Sequence, residues 1–214
     1  MRKKLMLPFT TALLAVFLTT TIAQAYSCPI QIWKSLYCNS SKPPYHTGQK
    51  YNFWFNITVH ASQDFSSVIV SDRFGAELMI EGISVGTPKL HPFDYHFSYA
   101  SYAWNGDVTV TKSGDGPWTG KLNKEGIKFD GFHIYWTGAS VKVHFEWDIG
   151  SMSANQTKKI FVIVSTDKNP AGHQEYTSCG WYYLNSGATV KAIDEYGHQF
   201  SAETAGILIY VGKK

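Results

Sequence analysis

Charge and cysteine are both scarce in this chain. Asp, Glu, Lys and Arg make up 16% of the residues while aromatics reach 15%, a balance that suits an exported β protein which buries much of itself and displays Tyr and Thr. Of the 19 basic residues three are Arg2, Lys3 and Lys4, in a segment expected to be removed, and without them the basic residues balance the 16 acidic ones. Nothing is left over to hold a polyanion, so no nucleic-acid partner is expected. The chain also lacks G-x-S-x-G, a Gly-rich phosphate loop, H-E-x-x-H and a calcium-loop signature, and Cys179 in Thr177-Ser178-Cys179-Gly180 has no assigned base. These absences weigh against an enzyme and against a bound cofactor or metal. A sustained 3.6-residue apolar period is missing as well, so little helix is expected.

Residues 1–25 read as a signal peptide: Arg2-Lys3-Lys4 precede the apolar run Ala12–Leu18, and Ala23-Gln24-Ala25 is a cleavage site of the A-x-A type. Pro8 and Thr19-Thr20-Thr21 shorten the apolar core below the roughly 20 residues that a spanning helix needs. Tyr26-Ser27 before Cys28 matches no lipoprotein box. The expected product is secreted or displayed at the cell surface, with no membrane span once the leader is cut, and is long enough for one sizeable core.

What is present is period-two patterning. Val141, Val143, Phe145, Trp147 and Ile149 share one parity and Lys142, His144, Glu146 and Asp148 the other, which predicts a half-buried antiparallel strand. Across the turn-like 150–156 lies the β-branched run Ile160–Val164, and the pair reads as a hairpin. Tyr51–His60 alternates too, with Phe53, Phe55 and Ile57 expected inside and Trp54 on the wet side. Ser66–Ser71, Met79–Val85, Gly187–Asp194 and Ala205–Val211 complete the strands. The architecture that covers such half-apolar strands is a sandwich of two sheets, all-β and antiparallel.

In an oxidising compartment Cys28, Cys38 and Cys179 imply one bridge and one spare thiol. Three pairings stay open, and one involving Cys179 is preferred because it would order the loop Tyr176–Gly180. Asn39, Asn56 and Asn155 head N-glycosylation sequons in a loop, on the wet parity of a strand and in a turn.

The series Val68-Ile69-Val70-Ser71-Asp72, Trp147-Asp148-Ile149-Gly150, the polar turn into Lys159–Thr166, and Asn185-Ser186-Gly187-Ala188-Thr189-Val190 resembles the prokaryotic conserved-repeat surface domain known as domain of unknown function eleven. Asp72-Arg73-Phe74-Gly75-Ala76-Glu77-Leu78 and the Gln174-Glu175-Tyr176 segment after Asn169-Pro170 are similar to single-copy archaeal versions. The resemblance covers roughly 45–85 and 140–212, and it implies an immunoglobulin-like sandwich on an exported protein. Its motifs are structural and nearly silent on activity. Outside it lie the N-terminal arm, 26–47, before the domain at 48–214, and an aromatic-rich insertion at about 91–136. Those two regions are where a special function is expected.

Within the insertion Tyr99, Tyr102, Trp104 and Trp118 are candidates for stacking on sugar rings. The plainer account is a satellite core beneath a long loop or hairpin. His91, Asp94 and His96 have the donor types of a transition-metal site, but no further ligand supports them. Asp72, Asp115, Asp130, Asp167 and Asn169 lie at expected loops, where such residues usually form turns rather than hold calcium. Glu146 and Asp148 share a wet strand face and invite a glycosidase reading; Lys142 and His144 beside them favour an ordinary charged surface. The leading expectation is a non-catalytic surface or matrix protein that contacts other surface proteins or copies of itself, as a wall component or filament subunit. A polysaccharide-binding module comes second and a secreted hydrolase third. The arm has two further readings, as the first strand of its own sandwich or as a strand donated to a neighbour, with Ile30 and Ile32 repeating at strand period in either case.

Overall fold

A computed structural model describes residues 28–90, 92–100, 105–137, 142–166 and 176–214. The leader lies outside the described residues. Strands follow the period-two segments and assemble into two large sheets and one small one. The first sheet runs β1 (Ile30–Leu36), β3 (Asn52–Ala61), β12 (Thr157–Ser165), β5 (Met79–Val85), β6 (Tyr95–Tyr99), β7 (Asp107–Lys112) and β8 (Trp118–Lys121). The second runs β15 (Gln199–Glu203), β14 (Thr189–Ile193), β4 (Phe65–Arg73), β11 (Lys142–Met152), β10 (Phe132–Thr137) and β9 (Ile127–Phe129). β13 (Gly180–Asn185), β16 (Ile207–Gly212) and β2 (Tyr45–His46) form the third sheet, and among the described residues only the β16–β2 pairing is parallel. The fold is the expected all-β sandwich of antiparallel sheets, with the inward parities of β3, β12, β4 and β11 meeting in one core around Phe55, Val162, Val70 and Phe145.

The hairpin expectation is overturned. β11 pairs with β4 and β10 in the second sheet, whereas β12 pairs with β3 and β5 in the first. β11 runs on through a bulge at Gly150, whose φ is 73°, to the buried Met152, and the turn 153–156 then carries the chain across the core. The reason lies in the apolar run itself: Ile160–Thr166 is buried on both parities, which requires a central strand covered on both faces.

The same effect corrects Trp54, expected on a wet face and found 5% exposed. β3 sits inside the first sheet, and its outer face is covered by a second cluster of Trp54, Phe93, Phe161 and Ile163, with Tyr37 packed against it. Gly82 makes room for that cover, since a Cβ there would fall 2.2 Å from the Phe93 ring.

The segment 91–136 extends both sheets rather than looping over one. β6, β7 and β8 lengthen the first sheet and β9 and β10 the second, and the main core continues between them. Tyr95 stands 5.3 Å from Phe132 and 5.5 Å from Phe129, centroid to centroid. Phe93 joins the smaller outer cluster instead.

The arm is part of the sandwich. β1 pairs antiparallel with β3 from Ile30↔Ala61 to Leu36↔Phe55, burying Ile30 and Ile32. β1 lies against β14 and β15, and β8 lies against β9, so the lateral edges of the two large sheets close on each other.

The expected disulfide is not formed: Cys28, Cys38 and Cys179 are all free thiols. β1 separates the first two by roughly 20 Å of extended chain, far beyond the roughly 4.4–6.8 Å between the Cα atoms of a bridge. The Cys28 thiol donates instead to the Ser201 carbonyl at 3.5 Å, and Cys179 is exposed.

Candidate interaction surface

Sequence-level candidates scatter when placed. Tyr102 and Trp104 lie outside the described residues, as do His91, Asp167 and Asn169. Tyr99 is half-buried against the main core and its hydroxyl donates to the Ile80 carbonyl. Trp118 also packs on the core, 5.7 Å from Phe129, with the Lys112 ammonium 6.0 Å from its ring centre. Asp94 accepts from the Val85 amide at 2.8 Å and from Lys89, while the His96 ring stacks near Phe93. Asp115 and Asp130 each pair with Lys112 at 2.8 Å. Glu146 accepts from Tyr135 and bonds His133, and Asp148 accepts from the Gly150 amide. Together with Ile69, Lys128 and Phe129 these two carboxylates border a shallow groove of about 470 Å³. Among the described residues no group of three metal-ligating side chains converges. Of the sequons, Asn39 and Asn155 are exposed in turns, and Asn56 is half-buried on the twice-paired β3.

The surface that stands out lies elsewhere, on the ribbon of β13 and β16. Its strands alternate over Trp181–Leu184 and Leu208–Val211. Leu184, Ile209 and Val211 point inward and are buried, and Trp181, Tyr183, Leu208 and Tyr210 point outward, 69%, 58%, 45% and 54% exposed. Register places Trp181 opposite Tyr210 and Tyr183 opposite Leu208, so the four side chains form one contiguous square. The Trp181 and Tyr210 rings meet at 5.4 Å and 61°. Next to Tyr183 a cleft of about 260 Å³ opens between Arg73, Phe74 and Asn185.

A tyrosine cluster packs behind this ribbon. Tyr176 is buried 4.5 Å from Tyr182 and 6.0 Å from Tyr51, and Tyr45 meets Tyr51 edge-on at 5.2 Å. Burial pushes the Tyr176 phenol well above the ordinary tyrosine range, with Glu77 and the neighbouring tyrosines adding to it. Tyr182 closes the loop before β13 by donating to the Ser178 carbonyl at 2.8 Å. The four side chains make a contiguous apolar patch on the outer face of this small sheet.

No protein-family model matches the chain, and no curated protein sequence does. Among solved structures the chain is similar to a cohesin module from a Clostridium perfringens family 33 glycoside hydrolase, at a TM-score of 0.40 and 7% identity over 88% of this chain and 100% of that one. It is also similar to the RrgA Jo.In complex, at 0.34 and 9% over 82% and 79%. Likeness at this level is distant and carries no argument about activity.

The expected strand Ala205–Val211 covers β16, whereas β13 has no counterpart among the expected strands because Tyr176–Gly180 reads as a loop and Trp181–Asn185 is left unassigned. The signal was legible: Trp181 and Tyr183 alternate with Tyr182 and Leu184, and Leu208 and Tyr210 alternate with Ile209 and Val211. Two facing strands that alternate apolar with apolar leave an apolar face outward unless another layer covers it. The ribbon falls inside the stretch that resembles the conserved-repeat domain, not in the arm or the insertion.

Proposed function

We propose that this is a non-catalytic, exported surface protein that binds another surface protein, a second copy of itself included, through Trp181, Tyr183, Leu208 and Tyr210. The observation that carries the reading is that square of exposed apolar side chains on the ribbon. Protein interfaces are enriched in Trp and Tyr at their centres. A sugar-stacking platform would want rings lying open in one plane, whereas Trp181 and Tyr210 are tilted by 61° against each other. Export is supported by the leader pattern at 1–25, and among the described residues no helix is long and apolar enough to cross a membrane. The resemblance to the conserved-repeat surface domain points the same way, toward a wall component or filament subunit.

The test is association of the mature chain with itself and with envelope proteins of its host. Trp181→Ala with Tyr210→Ala is expected to abolish sedimenting assemblies or partner capture while leaving the melting temperature unchanged, since both side chains are exposed. Assembly that survives the double substitution would refute the assignment of this face, and selective binding of the wild type to a glycan array would move the reading to a carbohydrate module.

A further inference from the structure

The inward parity of β1 reads Ile30, Ile32, Lys34, and that of β4 reads Val68, Val70, Asp72. A lysine and an aspartate thus occupy positions that the strand period assigns to the core, and both side chains are fully buried. The Lys34 Nζ lies 3.3 and 3.2 Å from the two Asp72 oxygens. Asn185, 0% exposed at the end of β13, donates its Nδ2 to the same Asp72 Oδ2 at 3.2 Å. Its Oδ1 accepts the Ile207 amide at 3.0 Å. Phe145 is the cross-strand partner of Asp72, and Phe74, bridged to Asn185, stands 5.3 Å from Phe55 and 6.4 Å from Phe145.

A buried ion pair of this kind is a weak source of stability, because desolvation offsets the attraction. Its placement suits chemistry better. The amine and the carboxamide share one carboxylate oxygen in a buried site, and a backbone N–H is already aimed at the carboxamide oxygen. Burial lowers the pKa of the Lys34 ammonium against the opposing pull of Asp72, and burial likewise raises that of Asp72. Both shifts favour passing a proton from Nζ to the carboxylate, which leaves an amine able to attack.

We propose that Lys34 and Asn185 are the two ends of a self-formed intramolecular amide bond, with Asp72 as its proton carrier. The Lys34 Nζ attacks the Asn185 Cγ, and the Ile207 amide stabilises the oxyanion that develops on Oδ1. The Nζ–Cγ bond forms and the Cγ–Nδ2 bond breaks. Nζ gives up two protons through Asp72: one goes to the departing Nδ2 to make ammonia, and the second leaves with it as ammonium, so Asp72 ends as it began. Nothing is oxidised or reduced and no co-reactant is needed. The cleft beside Phe74 and Tyr183 reaches Asn185 and offers the ammonium a way out. The product ties the first strand of the sandwich to the ribbon that carries the exposed aromatic square. Load applied to that ribbon would pass to β1 through a covalent bond instead of a hydrogen-bond ladder. This inference stands apart from the reading of that square as a binding face.

Intact-mass spectrometry of the folded, purified, cysteine-alkylated protein, followed by proteolytic mapping, tests it. The expected result is a mass short of the sequence by one ammonia, and a branched peptide joining Lys34 to Asn185. Lys34→Met and Asp72→Ala should each restore the full mass, with Lys34→Met the variant better suited to keep the core packed. A wild-type protein at full mass with Lys34 and Asn185 in separate linear peptides would overturn the proposal. So would a loss of water with Lys34 joined to Asp72, or an Asp72→Ala protein that still carries the branched peptide.

Discussion

Trp147 is expected on the inward parity of its strand and Trp54 on the wet parity of its own, yet both are buried, at 6% and 5% exposure. Truncating either to alanine should cost roughly 3–5 kcal/mol, as for a large aromatic in a core. Urea unfolding midpoints of the two variants are therefore expected to fall by similar amounts, and a Trp54→Ala protein near wild-type stability would contradict the outer cluster. Tyr95 offers a second check. Burial, with its hydrogen bond to Asp130 at 3.0 Å, pushes the phenol from an ordinary 10.0 up to about 12. The folded state thus prefers the neutral phenol. That contribution is complete below about pH 10 and is lost as pH rises through about 12. Wild-type stability should fall across this window, and Tyr95→Phe should fall less steeply in a series of urea midpoints against pH.

At the scale of elements, β1 decides between the two readings of the arm. Its seven-residue ladder with β3 and its two buried isoleucines make it a strand of its own sandwich. Deleting 28–37 is expected to unfold the domain or lower its melting temperature sharply, because Phe55 and Ile57 would lose the neighbours that cover them. A folded, monomeric deletion protein that binds the missing peptide would restore the donated-strand reading. β5 is sensitive in another way. Gly82→Ala would press a methyl group into Phe93 and lift it from Trp54. The expected outcome is destabilisation together with a change in tryptophan emission as the outer cluster opens.

Over the whole molecule, protection should follow position in the sheets. β3 and β12 each pair on both sides and are covered on both faces, so their amides should exchange slowest. β8, paired on one side with an alternately exposed pattern, should exchange among the fastest. Uniform exchange across these strands, read by mass spectrometry, would contradict the layered core.

Strand class and most of the inward-facing residues were legible in the sequence, because side chains alternate across a strand and burial selects apolar ones at every second position. Val143, Phe145 and Trp147 needed nothing more than that period. The same period left its exceptions in plain view, Lys34 after Ile30 and Ile32, and Asp72 after Val68 and Val70, although their meeting was not visible. Which strands pair was decided by the tertiary structure. A period of two says which face is wet only if something is known of what covers it, and a second layer on β3 reversed the answer for Trp54. β11 and β12 are neighbours in sequence and lie in opposite sheets, since four turn residues can cross a core as readily as they can fold back beside it. The convergence of Lys34, Asp72 and Asn185, drawn from three sheets and distant parts of the chain, depends on packing that no local pattern encodes.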